Sequence, residues 1–366
     1  MKTIFTLILA IHGLIHLMGF AKAFGYGNLT QLTTEISKLI GILWLITAGL
    51  FIVTTGLFLL RKDEWSIAGI IAVIISQFLI FTVWQDAKFG TLANVIILVV
   101  AVLSFGISNF EHSYQQDVRA NLKRTQALPT EMLTEADLKL LPEPVQRYLR
   151  YVGVVNKPKV KNVRIVFDGK MRDQGKDYFP FRAEQYNFFD QPTRLFFMKG
   201  KMFGITVPGY HRYSNAKATM DIRLFGLFPI VQQSGEIMDK TETVTLFNDM
   251  CLMVPATLID KRILWQAIDR NSTQASFTNQ GITITATLYF NEQGQLINFL
   301  SNDRTAISDM KQYPFSTPIS DYRNINGINV MTRGDAIWHY PDGEFTYGKF
   351  LLKDIEYNSD KLVNDS

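Results

Sequence analysis

The chain has only one cysteine, Cys251, among its 366 residues. A single thiol excludes an intrachain disulfide framework and any zinc cluster built from several cysteines. The H-E-x-x-H, G-x-S-x-G and G-x-x-x-x-G-K-[ST] motifs are also missing, which excludes the simplest zinc-peptidase, hydrolase and nucleotide-binding functions. The sequence therefore identifies no catalytic residue, and we expect neither a cofactor nor a bound metal.

Charge is scarce in one part of the chain. Residues 1–110 carry ten charged side chains, whereas residues 111–366 carry sixty. The net charge of +4 is small and is not gathered into a basic stripe, so nucleic acid is not an expected partner. This asymmetry indicates a membrane-embedded N-terminal region followed by a water-soluble domain.

Four uncharged apolar runs lie within the first 110 residues. A helix needs roughly 20 mainly apolar residues to cross a bilayer, and four runs reach or approach that length: residues 4–20, 39–60, 65–84 and 91–107. We therefore predict a bundle of about four transmembrane helices in residues 1–110, a linker in residues 111–130 and a soluble β-rich domain in residues 131–366.

The first apolar run has a second interpretation. Lys2, the run itself and Ala21-Lys22-Ala23 together resemble a signal peptide with its cleavage site. The run is long for a signal, however, and two histidines interrupt it, so a retained span is preferred.

The basic residues of the short loops predict the orientation. Six lie in the segments that are inside when the N-terminus is inside, against three in the outer loops. Basic residues favour the cytoplasmic side. We therefore predict a multi-pass protein of the cell (inner) membrane whose soluble domain faces the cytoplasm.

Beyond residue 158 the apolar residues recur with period two. Ile282, Ile284, Ala286, Leu288 and Phe290 alternate with more polar residues, as expected of strands with one face on a core. Turn sequences lie at residues 291–294, 326–327 and 341–343. The pattern predicts nine to eleven strands between residues 160 and 357, in an α+β domain built on a curved antiparallel sheet or half-barrel.

One helix is predicted to interrupt these strands and cover the sheet. It spans residues 240–253, with Asp239 as N-cap and Pro255 just beyond its end. The interior of such a half-barrel holds either side chains or an apolar ligand. The candidate cavity residues on or beside this helix are Met238, Phe247, Met250, Cys251 and Val254, and ordinary core packing is the alternative.

His12 and His16 lie four residues apart, hence on one face of the first span. Ionisable residues inside a membrane are a functional hypothesis by default. Hydrogen bonding to other helices is the simpler role, with five possible partners: Thr47, Thr54, Ser76, Gln77 and Asn94. A proton or ion pathway and a metal site are the alternatives.

Two segments carry a resemblance to a known kind of protein. The sequence from Leu141 to Gly153, LPEPVQRYLRYVG, and that from Ile11 to Phe20, IHGLIHLMGF, resemble a bacterial family of multi-pass membrane proteins with a C-terminal β-rich domain of unknown function. The resemblance implies no activity and no site residues. More loosely, the predicted sheet and helix are similar to the half-barrels of bacterial lipoprotein carriers, which hold acyl chains.

These observations support three functional hypotheses. The first is a membrane-tethered, non-enzymatic domain that binds a lipid or another apolar ligand. The second is an enzyme that acts on a lipid-like substrate, and the third is a sensor or assembly factor that binds another membrane protein. A large apolar cavity favours the first, a cavity with carboxylate or histidine pairs favours the second, and a filled interior favours the third.

Overall fold

The protein is described by a computed structural model, which covers residues 2–27 and 29–362. The chain divides into two compact units. One comprises residues 1–110 together with residues 225–227, and the other comprises residues 111–224 and 228–366.

The first unit is helical. Its elements are α1 (Lys2–Ile15), α2 (Leu17–Phe24), α3 (Lys38–Leu59), α4 (Trp65–Thr82), α5 (Trp84–Ala87) and the first half of α6 (Gly90–Gln126). The segment Lys2–Phe24 and helices α3, α4 and α6 are long and apolar enough to cross a membrane. The prediction of four long apolar helices is confirmed.

Small residues allow these helices to approach one another closely. A Cβ atom on Gly13 would lie 2.7 Å from the Cβ of Phe51, and one on Gly19 would overlap the ring of Trp44. Glycine at such positions is typical of helix contacts inside membranes, where packing rather than water exclusion drives association. The outer surface of the bundle is apolar: Leu39 and Leu92, for example, are 77% and 69% exposed.

The second unit is built on one large antiparallel sheet. Its strands are β1 (Asn162–Met171), β2 (Phe179–Phe188), β3 (Thr193–Met202), β4 (Ile205–Ser214), β5 (Lys217–Leu224), β6 (Phe228–Ser234), β7 (Ile263–Ala267), β8 (Ser272–Asn279), β9 (Ile282–Phe290), β10 (Leu296–Ser301), β11 (Thr305–Ala306), β12 (Lys311–Gln312), β13 (Phe315–Ser316), β14 (Ile319–Ile325), β15 (Ile328–Tyr340) and β16 (Gly343–Tyr357). The order in the sheet is β6-β5-β4-β3-β2-β1-β16-β15-β13-β10-β9-β8-β7; β14 pairs with β15, and β11 and β12 form a separate ribbon.

The sheet curls into a half-barrel, which confirms the predicted fold of this unit. The predicted number of strands was too low, since the described residues form sixteen. Three of these, β11, β12 and β13, have two residues each. A two-residue strand is too short to show any alternation of apolar and polar residues, so periodicity cannot find it.

Three helices and a 3₁₀ turn accompany the sheet: α7 (Glu135–Leu138), α8 (Glu143–Val152), α9 (Glu236–Leu252) and the turn Pro255–Ile259. The predicted covering helix is α9, but it begins four residues earlier than expected and Gly235 occupies its N-cap position. Asp239 is therefore not the cap. Its carboxylate accepts hydrogen bonds from the Ala218 backbone N–H and the Lys217 ammonium, at 2.7 and 2.8 Å, and so ties α9 to β5.

Residues 111–126, expected to be a linker, form the second half of α6 and belong to the same compact unit as the sheet. They pack on the sheet face opposite α9. Glu111 accepts from the Lys199 ammonium at 2.6 Å, and Asp117 accepts from Tyr210 and Arg212 at 2.8 and 3.0 Å. The predicted domain limits, at residues 110 and 130, concern which parts of the chain fold independently, and they stay a prediction.

Candidate functional site

A partly open cavity of about 130 Å³ lies between α9 and the concave face of the sheet. Strands β1 to β4, β15 and β16 supply most of one wall, and one side of α9 supplies the other. The apolar part of the lining comprises Phe167, Met171, Phe196, Leu252, Met253, Phe315, Met331 and Phe350. A predominantly apolar pocket with a few convergent polar groups is the usual form of a ligand site.

The central polar group of the cavity is Arg194, whose side chain is 8% exposed. Its Nε–H donates to Asp249 at 2.8 Å and its Nη1–H donates to Glu242 at 3.2 Å, both on α9. The third arm, Nη2–H, donates to the amide oxygen of Gln185 at 3.0 Å. A buried guanidinium is thus balanced by two carboxylates and one amide, as a buried charge requires.

Strand alternation places this network on the concave face. Gln185 and Asn187 are two residues apart on β2, so their side chains share a face, and both donate to the Asp249 carboxylate, at 2.7 and 3.1 Å. Asn187 pairs with Arg194 in the register of β2 and β3. The network therefore links α9 to two adjacent strands.

His211 on β4 lies beside this network, at the cavity wall. The pKa of its imidazole is lowered to about 4, chiefly by burial; the Glu242 charge opposes this shift, and the Arg194 and Arg304 charges add to it. The ring is therefore neutral near pH 7. Within residues 2–27 and 29–362, no hydrogen bond to the His211 ring is present; its ring contact is with Phe196, at 5.7 Å between centroids.

Arg304 is the second guanidinium of the cavity lining, in the segment between β10 and β11. Its Cζ atom lies 4.0 Å from the ring centroid of Phe315 and 5.5 Å from that of Trp338. Its Nη2–H reaches the Tyr347 hydroxyl at 3.5 Å, while its Nε–H is buried and has no hydrogen-bond acceptor in the described part of the chain. Arg304 is thus held by aromatic rings rather than by carboxylates.

The five residues predicted to line a ligand cavity lie elsewhere in the core. Met238, Phe247, Met250, Cys251 and Val254 are at most 5% exposed, and none of them contacts the cavity described above. Phe247 stacks on Phe277 of β8 at 5.3 Å, and the Cys251 carbonyl accepts from the Tyr148 hydroxyl of α8. Their assignment to a ligand site stays a prediction; the structure places them in close-packed contacts.

The physical reason lies in the two faces of α9. Its apolar face packs on β9, β10 and the turn Pro255–Ile259, and Phe247 also stacks on Phe277 of β8. The opposite face carries Glu242, Thr245 and Asp249, at spacings of three and four residues, and this face lines the cavity. Sequence reasoning takes such a polar stripe as solvent-facing. One sequence feature could have indicated the cavity: Arg194 lies on the concave face of β3 without an opposite charge on that face of the strand.

His12 and His16 belong to a separate network inside the helical unit. The His12 Nε2 atom lies 2.8 Å from Asn94 Oδ1, and the His16 Nε2 atom lies 2.9 Å from Ser76 Oγ. The His16 Nδ1–H donates to the His12 carbonyl at 2.8 Å. Asn94 in turn donates to Gln77, at 3.1 Å. Both histidines are buried and hydrogen-bonded to other helices, and the purely structural role assigned to them stays a prediction.

Among the described residues there is no group of three or more histidine, cysteine, aspartate or glutamate side chains placed to hold a metal ion.

The β-rich part of the chain matches a known protein family. Residues 131–350 match the model of a family of unknown function, DUF6544. The chain belongs to the DUF6544 family. The match covers β1 to β15, part of β16, α9 and the cavity residues, so the cavity lies within the part that matches the family.

No curated protein matches the sequence of this DUF6544 protein. Among solved structures, it is similar to the crystal structure of a LolA-superfamily protein from Nitrosomonas europaea, with a TM-score of 0.35 and 10% sequence identity, over 58% of this chain and 92% of the other.

Proposed function

We propose that this DUF6544 protein is anchored in a membrane by its N-terminal helices and that its half-barrel binds an apolar ligand without catalysing a reaction. The observation that carries the binding proposal is the cavity under α9. Its wall is mostly apolar, with the helix on one side and the concave sheet on the other.

The cavity volume limits the ligand. At about 130 Å³, it is close to the size of an engineered protein cavity, about 150 Å³, that takes up benzene. A ring or an alkyl segment of about six carbons therefore fits. A complete acyl chain does not, so a lipid ligand inserts only one end of its chain.

Membrane anchoring is supported by the surface of the helical unit. Large side chains such as Ile4, Ile74 and Phe81 are 63–64% exposed on helices that carry almost no charge. A contiguous apolar surface of this kind is unusual on a water-soluble unit and is the expected lipid-facing surface of a helical bundle. The loop charges support a cytoplasmic location for the half-barrel.

The binding proposal is tested by photo-crosslinking on the full-length protein in detergent. A hexyl alcohol that carries a diazirine is irradiated with the protein, and labelled peptides are mapped by mass spectrometry. We expect saturable labelling of peptides that contain Phe167, Met253 or Phe350. Thr245→Trp, which fills the cavity from α9, should reduce this labelling at least fivefold.

The matched control is Ile237→Trp. Ile237 lies on the same helix but is 48% exposed, so the same residue is added outside the cavity and the labelling should persist. Circular dichroism should show the same β-rich spectrum for both variants. Labelling that is spread over residues 1–110 alone, or that Thr245→Trp does not change, contradicts the proposal.

The second candidate, an enzyme acting on a lipid-like substrate, is favoured by one observation. A neutral histidine, His211, lines the same cavity as the carboxylate of Glu242, and a neutral imidazole can accept a proton. Incubation of the protein with a lipid extract, followed by mass spectrometry, tests it. A product that forms with the wild-type protein and not with His211→Gln supports the enzyme.

A further inference from the structure

The cavity contains two guanidinium groups, and their charges are balanced differently. Arg194 has two carboxylates within 3.2 Å. Arg304 has no carboxylate oxygen within 4.0 Å among the described residues, although it is half-buried. Removing a charge from water is unfavourable unless it is paired and hydrogen-bonded. Arg304 therefore has unused capacity to bind an anion.

The nearby carboxylates are engaged elsewhere. Glu242 and Asp249 bind Arg194. Asp303, the residue before Arg304, binds the Lys240 ammonium at 2.7 Å and accepts the backbone N–H of Thr285 at 2.7 Å.

Asp335 is the remaining carboxylate of the lining. It also borders a separate surface groove, in which Arg333 and Lys349 are its cationic neighbours. None of these carboxylates neutralises Arg304 by direct contact.

The position of Arg304 is fixed, which makes it a specific donor. Its guanidinium lies over the Phe315 ring at 4.0 Å and near the Trp338 ring. Such cation–π contacts use the face of the guanidinium, so its N–H groups stay available in the plane, apart from the Nη2–H that reaches the Tyr347 hydroxyl at 3.5 Å. The Nε–H, which has no acceptor, and one Nη–H form the edge that binds a carboxylate or phosphate in two parallel hydrogen bonds.

We propose that Arg304 is the anchor for the anionic end of an amphipathic ligand, a carboxylate or a phosphate ester, whose apolar end fills the cavity under α9. This inference rests on the proposed binding function and names the ligand class: an anionic amphiphile rather than a neutral one. A free small anion such as acetate or phosphate would bind Arg304 through the same chemistry. The experiment therefore tests an anionic amphiphile and a free anion separately.

The test uses two diazirine probes with the same hexyl chain on the full-length protein in detergent. One ends in a carboxylate and the other in a primary alcohol. On the wild-type protein, the carboxylate probe should reach half-saturation of the cavity peptides at a concentration at least tenfold lower. Charge-assisted hydrogen bonds account for a preference of about 10- to 100-fold.

Arg304→Gln should remove this preference, weakening the carboxylate probe at least tenfold and changing the alcohol probe less than threefold. Arg304→Lys keeps the charge but loses the paired donors, so at least a threefold preference should remain; this variant decides the matter if Arg304→Gln does not fold. The matched control is Arg323→Gln, since Arg323 is an arginine with a 63% exposed side chain, paired with Asp321 away from the cavity. It should bind both probes as the wild type does.

Trp338 provides an independent readout for small anions, because its ring lies 5.5 Å from the Arg304 guanidinium. Acetate and phosphate are titrated while tryptophan emission is measured, with Trp338→Phe to identify the signal. A saturable change in tryptophan emission that disappears in Arg304→Gln supports the anion site. If neither hexyl probe labels the cavity in that case, the anion site stands and only the proposed binding of an apolar ligand fails. Equal half-saturation of the two probes on the wild-type protein, with labelling still sensitive to Thr245→Trp, leaves apolar binding intact and overturns the role of Arg304. Loss of all labelling together with no anion response overturns both.

Discussion

Replacing Arg194 with methionine should destabilise the half-barrel strongly. The substitution leaves the Glu242 and Asp249 side chains, 4% and 14% exposed, without their cationic partner. Breaking a buried ion pair by removing one partner costs about 3–5 kcal/mol, because the remaining charge stays buried and uncompensated. For a unit of this size, 1 kcal/mol shifts the Tm by about 2–4 °C, so the Tm should fall by roughly 10 °C.

The charge explanation can be separated from lost packing by a combined variant. Arg194→Met with Glu242→Gln and Asp249→Asn removes all three charges while keeping similar side-chain sizes. Neutralising the whole cluster is expected to recover at least half of the lost Tm, since the uncompensated charge is the main cost. Thermal unfolding of the full-length protein, followed through the β-sheet circular dichroism signal, measures both effects.

The control for this experiment is an exposed arginine. Arg323 pairs with Asp321 at 2.9 Å with a 63% exposed side chain, and exposed pairs contribute about 0–1 kcal/mol. Arg323→Met should therefore change the Tm by less than about 4 °C. The reasoning is refuted if Arg194→Met unfolds as late as the control, or if the triple variant is no more stable than Arg194→Met alone.

Three other predictions follow from the structure. The pKa of His211 is lowered to about 4 in the folded state, so the unfolded chain binds more protons than the folded one between pH 4 and 6.5. The free energy of unfolding should therefore fall by roughly 3 kcal/mol as the pH is lowered from 6.5 to 4. His211→Gln should flatten this part of the plot of Tm against pH, and an unchanged slope contradicts the prediction. Replacing His12 and His16 with glutamine, which can still hydrogen-bond, should preserve folding and membrane insertion, and stoichiometric metal that is lost in the double variant is the contrary result. Cys251 is buried, and burial raises the pKa of its thiol, so a cysteine introduced at Asp360 should be the only reactive thiol; it should resist an impermeant reagent in intact cells, and its labelling would reverse the predicted orientation.

The parts of the fold that follow local patterns could be predicted from the sequence. The uncharged runs in residues 1–110 predicted the four apolar helices, and the alternation around Ile284 and Leu288 predicted strands. Pro255 and the apolar spacing of residues 244–254 predicted α9, although its first turn was missed because Gly235 rather than Asp239 occupies the N-cap position. These patterns depend on neighbours along the chain, which the sequence displays directly.

The cavity network depends on neighbours in space, which the sequence does not display. Arg194, Glu242 and Arg304 are far apart in sequence and meet only because β3, α9 and the segment after β10 converge on one cavity. The apolar residues of α9 were chosen instead, because apolar side chains are expected inside. In the structure those apolar residues are buried in the core, and the cavity lies beside the charged residues on the other side of the helix.

The position of the last strand has a consequence for how the half-barrel is synthesised. β16 lies in the middle of the sheet, between β1 and β15, and pairs Tyr357 with Val163, so the last strand in the sequence joins the first. The hairpins on either side of β16 can form early from local contacts, but the pairing of β16 with β1 must wait until β16 has left the ribosome. The pairing of β16 with β1 therefore forms after the local hairpins and is a contact of high sequence separation. A premature stop before residue 343 removes the centre of the sheet rather than its edge, so such a product should expose two unpaired strand edges and be a substrate for chaperones and proteases.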